Sequence, residues 1–143
     1  MSVALILAAK GHDVTTTQPH RTLQEAAAVL AERGIGAVIV TGGNSEVLGI
    51  LSERDIVRAI GRHGAGALQD PVSKYMTSKV VTTQMDEAID QVMELMTAGR
   101  FRHLPVIHNG RLAGVVSIGD VVKHRLDAMD AEHRAMREYI ASA

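Results

Sequence analysis

Residues 49–55 read GILSERD and residues 114–120 read GVVSIGD, so the pattern Gly–apolar–apolar–Ser–x–x–Asp stands twice, 65 residues apart. Each copy runs into apolar residues at helical spacing, Ile56, Val57 and Ile60 after the first and Val121, Val122 and Leu126 after the second. Further out, Val14-Thr15-Thr16-Thr17-Gln18 returns as Val80-Val81-Thr82-Thr83-Gln84 at an offset of 66. The second copy is therefore one residue shorter between these landmarks. The loss falls in the turns, Gly42-Gly43-Asn44-Ser45 against His108-Asn109-Gly110, where a length change disturbs least. A repeat of this kind governs the architecture before any single motif is weighed.

Within each copy the order is the same. A β-prone piece, Val14–Thr17 or Val80–Thr83, precedes a stretch with helical periodicity. Leu23, Ala26, Ala27 and Leu30 carry that period in copy one, and Ile89, Val92, Met93 and Met96 in copy two. Two β-rich runs then flank a Gly/Asn turn and read as a hairpin: 37–40 with 47–51, and 104–107 with 112–116. A helix opening near Ser52 or Ser117 closes the unit. The spacing predicts an α+β fold of two β-α-β-β-α units. A unit of under about 60 residues buries little apolar surface alone, so the two are expected to share a core in a pseudo-two-fold arrangement. The divisions read from the chain are 1–62 with an N-terminal helix at Ala4–Ala9, a Gly-rich linker at 63–71, 72–128 with a helix at Val72–Met76, and a helical extension at 129–143. In that extension Met129, His133, Met136 and Ile140 share one face, fit either to pack on their own domain or to meet a second copy.

Composition narrows the function. A formal charge of −1 gives no electrostatic footprint for nucleic acid or an anionic membrane, and aromatic residues are only 2% of the chain, too few for rows of stacked bases. The run Val3–Ala9 is too short to span a bilayer and lacks the layout of a signal peptide, and the chain has no cysteine. A cytoplasmic protein is expected, without nucleic acid or membrane as partner. The seven histidines form no metal-binding spacing, so no metal is expected. No nucleophile elbow or P-loop is present, and Gly34-Ile35-Gly36 precedes a strand, which suits a helix C-cap and not a dinucleotide loop. No catalytic residue is assigned, and the chain is expected not to be an enzyme.

Ser-x-x-Asp has two readings. As a capping box the Ser oxygen accepts a backbone N–H and the acid reaches back, although Glu or Gln is the usual acid there. As a site, the helix N-terminus offers N–H groups to phosphate, and the carboxylate accepts from two adjacent hydroxyls such as those of a ribose. Gly49 and Gly114 would let another group approach closely.

The chain resembles a tandem pair of cystathionine-β-synthase-type (CBS) domains, a small stand-alone Bateman module. The likeness covers nearly the whole length, and GILSERDIVRAI and FRHLPV…GRLAGVVSIGDVVKHRL carry it most specifically. It implies adenine nucleotides bound in two clefts between the domains, and a regulatory module that often pairs into a disc-shaped homodimer. Carried across position by position, the resemblance places Ser52 and Asp55 in one cleft and Ser117 and Asp120 in the other. His103, with Arg102 beside it, contacts phosphate in the second cleft. The first cleft lacks that cation, having Gly36 and Ala37 there, but has Arg54 where copy two has Gly119. Lys10 and His12 are expected to face Ser117 and Asp120, and Lys79 and Val80 to face Ser52 and Asp55.

The function expected is a sensor holding AMP, ATP, NAD or a similar adenosine-containing ligand in two unequal clefts. No obligatory cofactor is expected, and the output partner would be a separate, unidentified protein. The alternative is a non-catalytic scaffold whose Ser-x-x-Asp pairs are helix caps alone.

Overall fold

The computed structural model describes residues 1–142. Its elements run α1 (Val3–Lys10), β1 (Thr16–Thr17), α2 (Leu23–Arg33), β2 (Ala37–Thr41), β3 (Val47–Ser52), α3 (Glu53–His63), β4 (Thr83–Gln84), α4 (Ile89–Gly99), β5 (His103–His108), β6 (Arg111–Ser117) and α5 (Ile118–Ser142). Two three-stranded sheets result, β1-β2-β3 and β4-β5-β6, each with its first pair parallel and its second antiparallel. The expected β-α-β-β-α order is found twice, although the leading strands shrink to two residues each.

The hairpin registers explain the change of offset. Ala37 pairs with Ser52 and Val40 with Gly49, while His103 pairs with Ser117 and Val106 with Gly114. The first strands therefore correspond at 66 and the second at 65, and the missing residue lies in the turn. Asn109 (φ 51°) and Gly110 (φ 75°) make the tight two-residue connection, a left-handed pair that Asn-Gly adopts at low steric cost.

Two apolar cores form, one per sheet. Leu23, Ala26, Leu30, Val38, Val40, Leu51 and Ile56 build the first, and Ile89, Val92, Met96, Leu104, Val106, Val116 and Val121 the second. The flanking segments depart from the reading by sequence order. Val3, Ile6 and Leu7 of α1 are buried in the second core, not the first. Val72, read as opening the second unit, is buried in the first core.

The exchange is symmetric. Val3 N–H donates to Glu87 O (2.9 Å) and Val72 N–H to Arg21 O (2.7 Å). Ile89 N–H donates to Met1 O (3.2 Å) and Leu23 N–H to Asp70 O (2.9 Å). Each segment thus satisfies the start of a helix that opens with a bare N–H. The segment around Val72 is a single 3₁₀ turn, Val72–Lys74, and not the helix expected over 72–76.

The Gly-rich connector is packed. Residues Ala65–Gln69 form a 3₁₀ helix with Ala67 buried in the first core. Asp70 accepts from Tyr75 Oη at 2.6 Å and from Lys74 Nζ at 3.2 Å. The expected C-terminal extension is continuous with α5 and runs to Ser142 without a break. Its Met129, Met136 and Ile140 are 48%, 60% and 67% exposed, so this face does not pack on its own domain. No helix is long and apolar enough to cross a membrane among the described residues.

Candidate functional site: a cationic cleft between the two copies

Both Ser-x-x-Asp motifs are reciprocal caps. Asp55 Oδ2 accepts from Ser52 N–H (2.9 Å) and Ser52 Oγ (3.1 Å), and Asp55 N–H donates back to Ser52 Oγ (3.3 Å). Asp120 Oδ2 accepts from Ser117 N–H (2.9 Å), and Asp120 N–H donates to Ser117 Oγ (3.1 Å). In each motif the cap uses one carboxylate oxygen. Oδ1 of Asp55 and of Asp120 takes part in no hydrogen bond among the described residues. A cap and a hydroxyl acceptor therefore coexist in one side chain.

The glycine before each motif does admit a close neighbour. A Cβ on Gly49 would stand 2.9 Å from the Thr77 carbonyl oxygen, and one on Gly114 would stand 2.8 Å from Leu7 Cδ2. At Gly49 the visitor is backbone: Ile50 and Thr77 exchange N–H···O bonds of 3.0 and 2.9 Å. This bridge carries Thr77–Val80 across to Ser52 and Asp55, where Lys79 and Val80 were expected.

A cleft of about 800 Å³, counting its open mouth, is lined by Ser52, Glu53, Arg54, Asp55 and Arg58 of α3 and the residues before it, with Gly36 and Ile50 beside them. Thr77, Lys79, Val80 and Val81 form a second wall, and Arg100, Phe101, Arg102 and His103 a third.

The third wall adds to the sequence reading. Arg102 and His103 were assigned to the second cleft, and the first was expected to lack such a cation. His103 does stand opposite Ser117 in the β5–β6 ladder. Its ring nevertheless reaches across to Gly36 of the first copy, where a Cβ would sit 3.5 Å from His103 Nε2. Gly36 leaves the room that brings His103 into the Ser52/Asp55 cleft.

Burial is the main influence on His103 and holds its pKa below the ordinary 6.5. Lys10 and Arg102 push the same way, against Asp120 and Glu53. Burial thus favours the neutral imidazole.

Arg58, Arg100 and Phe101 were missed. Arg100 is the C-cap of α4 in the left-handed region (φ 55°, ψ 34°), where the equivalent residue of copy one is Gly34 (φ 63°, ψ 37°). A side chain there costs about 1 kcal/mol or more relative to glycine. A glycine-to-arginine difference between otherwise matching helix ends was the signal in the sequence.

The Ser117/Asp120 side is built differently. Lys10, expected there, is an ion-pair partner of Asp120: its Nζ is 2.7 Å from Asp120 Oδ2 and 2.8 Å from the Val115 carbonyl oxygen. His12 Nδ1 lies 3.1 Å from Ala113 O on the same strand. Burial raises the Asp120 pKa most, but the Lys10 and Ser117 hydrogen bonds outweigh it and hold the carboxyl below its ordinary value.

Fold and motif together make this a tandem pair of β-α-β-β-α domains, and comparison with known proteins agrees. The CBS-domain family model matches residues 10–62 and 72–127, and the chain belongs to that family. A CBS-domain-containing protein of Agrobacterium tumefaciens, known as a crystal structure, is similar at 52% identity and a TM-score of 0.86, over 87% of this chain and 99% of that one. A CBS-domain protein of Pyrobaculum aerophilum, complexed with AMP, is similar at 26% identity and a TM-score of 0.75, over 84% of this chain and 89% of that one. A CBS-domain-containing protein of Arabidopsis thaliana is 32% identical over 123 residues, and there the match covers 86% of this chain but 22% of the relative.

Proposed function

We propose that the protein is a regulatory module that binds an adenosine-containing ligand in the Ser52/Asp55 cleft and passes occupancy on as a change of shape or partner affinity. One observation carries the reading. Ser52 and Asp55, suited to hydroxyls, share a cleft with cations supplied by the other copy, suited to phosphate. Asp55 Oδ1 accepts from the ribose, while Ile50, Val80 and Phe101 give the base an apolar slot. The Pyrobaculum relative complexed with AMP supports the ligand class.

The ligand bridges walls from both copies, so it favours whichever arrangement of the copies lets both touch it; differential affinity is the only means by which it shifts the module. The Ser117/Asp120 cleft is unequal to the first because Lys10 already occupies its carboxylate.

A second copy of the chain is the partner for α5. Val122, Leu126, Met129, His133, Met136 and Ile140 recur at spacings of 4, 3, 4, 3 and 4, the seam of a helix pair, and all are exposed. The scaffold alternative keeps one observation in its favour, that both motifs are complete caps.

Thermal unfolding with AMP, ATP and NAD tests the sensor reading. A ligand at one hundred times its Kd stabilises by about 2.7 kcal/mol. At roughly 0.3 kcal/mol per degree for a chain of this length, that is about 9 °C. No shift with any adenylate favours the scaffold.

A further inference from the structure

The Ser52/Asp55 cleft concentrates charge that its own protein does not balance. Arg54, Arg58, Lys79, Arg100 and Arg102 face it with only Glu53 and Asp55 as carboxylates, leaving three net positive charges in a chain whose whole formal charge is −1. None of the five cations is in an ion pair among the described residues, and of the ten other Lys and Arg side chains only Lys10, Arg21, Lys74 and Arg125 are. The five come from three separate segments, α3, the strand-like crossing after Thr77 and the turn that ends α4. No one stretch of helix surface accounts for them. Arg100 is also kept in a left-handed backbone position that copy one fills with glycine. Strain of this kind persists where the surroundings or the function hold it.

We infer that this cleft selects adenine nucleotides carrying two or more phosphates, the nucleoside di- and triphosphates, over AMP and over S-adenosylmethionine. The inference rests on the adenosine reading above and names the ligand class of the same site. A monophosphate neutralises at most two of the three surplus charges, so a second phosphate finds donors still unpaired. S-Adenosylmethionine brings a sulfonium and an ammonium against one carboxylate. Its net positive charge adds to the surplus and does not relieve it. Arg side chains suit the task because each guanidinium presents a fork of N–H donors to phosphate oxygens.

Isothermal titration of the full chain with AMP, ADP, ATP and S-adenosylmethionine at one salt concentration is the test. ADP is expected to bind roughly tenfold or more tightly than AMP, the gain from one further charge-assisted hydrogen bond. S-Adenosylmethionine is expected to be weakest, and raising the salt should narrow the ADP-to-AMP gap. Arg54→Gln combined with Arg100→Gly should collapse that ratio toward one while AMP binding persists. Arg100→Gly alone should raise the Tm of the ligand-free protein, since it relieves the left-handed position, and this separates a binding loss from misfolding. ADP and AMP binding within twofold of each other, or S-adenosylmethionine binding as tightly as either, overturns the inference and leaves the adenosine reading standing. Binding of no adenylate at all overturns both.

Discussion

The reciprocal exchange of flanking segments makes a prediction that sequence order does not. Leu7 lies near the start of the chain, yet its side chain is fully buried in the second core and sits where a Cβ on Gly114 would clash. Leu7→Ala removes three carbons from a site hemmed in by a sheet and cannot be refilled cheaply, so the loss is expected at about 3 kcal/mol within the usual range of about 2–5. With unfolding entropy near 2.1 cal/mol/K per residue, the Tm should fall by about 10 °C. Urea unfolding gives the magnitude, and native-state hydrogen exchange gives the location. Amides of α4, β5 and β6 around Val92, Leu104, Val106 and Val116 should lose protection first. Those around Leu23, Val38 and Leu51 should hold. Leu23→Ala is the mirror control, and should loosen the first core in the same way. Loss of protection confined to residues 23–59, or a Tm shift under about 3 °C, refutes the exchanged packing.

Four further outcomes are expected. Asp55→Asn keeps an acceptor for the cap but drops the charge and one acceptor oxygen, so ligand-free stability should hold while adenylate affinity falls about tenfold. Asp55→Ala should also lose about 1 kcal/mol of stability, and an Asn variant that binds like the wild type would reduce the motif to a cap. His103 has its pKa held below 6.5 by burial, and a bound phosphate raises it, so binding takes up a proton. Affinity should therefore rise as pH falls from about 7.5 to about 6, and a flat profile identical to that of His103→Gln would sink the assignment. Lys10→Met should cost only about 0.5–1 kcal/mol, because Lys10 and Asp120 are 36% and 23% exposed. The Asp120 pKa is lowered in the folded state, so that contribution exists above the unfolded carboxyl pKa and vanishes as pH falls through the folded one; urea titrations at neutral and strongly acid pH should show the difference disappear. Ending the chain at Ala128 removes most of the exposed α5 seam and should convert a dimer to a monomer by light scattering, with nucleotide affinity changed by less than about twofold.

Much of the fold was legible because a repeat compares the chain with itself. The one-residue change of offset located the turn, and the ladder registers agree residue for residue from Ala37–Ser52 to His103–Ser117. Local chemistry was also legible: the Ser-x-x-Asp caps, the left-handed Gly34 after α2, and the glycines that admit Thr77 and Leu7. Relations between the copies were not. An amphipathic helix shows which of its faces wants burial but not against which core, and α1 could serve either until Glu87 and Met85 accept its first N–H groups. The second neighbour of His103 was hidden for the same cause. Its strand neighbour is Ser117, but side-chain reach and the bare backbone at Gly36 decide which cleft it enters.

The two motifs show how a duplicated helix cap comes to stand in two different surroundings. The caps at Ser52 and Ser117 share both bonds to backbone N–H groups, with the same carboxylate oxygen on the Ser N–H at 2.9 Å in both. What differs at each motif's carboxylate is delivered from outside its unit. The crossing segment before copy one ends in Lys10, which fixes itself to Asp120 and to the Val115 carbonyl. The crossing segment before copy two brings Met76 and Thr77 against Gly49, apolar and backbone groups that leave Asp55 without an ion-pair partner. Among the described residues neither Asp55 nor the five cations of its cleft has an ion-pair partner, which suits the proposed ligand with hydroxyls and phosphates. The Asp120 carboxylate meets a ligand with one oxygen already held by lysine. The exchanged flanks therefore add to differences within the repeated units, such as Arg54 against Gly119 and Arg100 against Gly34, and substitutions at residues 10 and 76–79 should redistribute ligand between the clefts while the caps stay as they are.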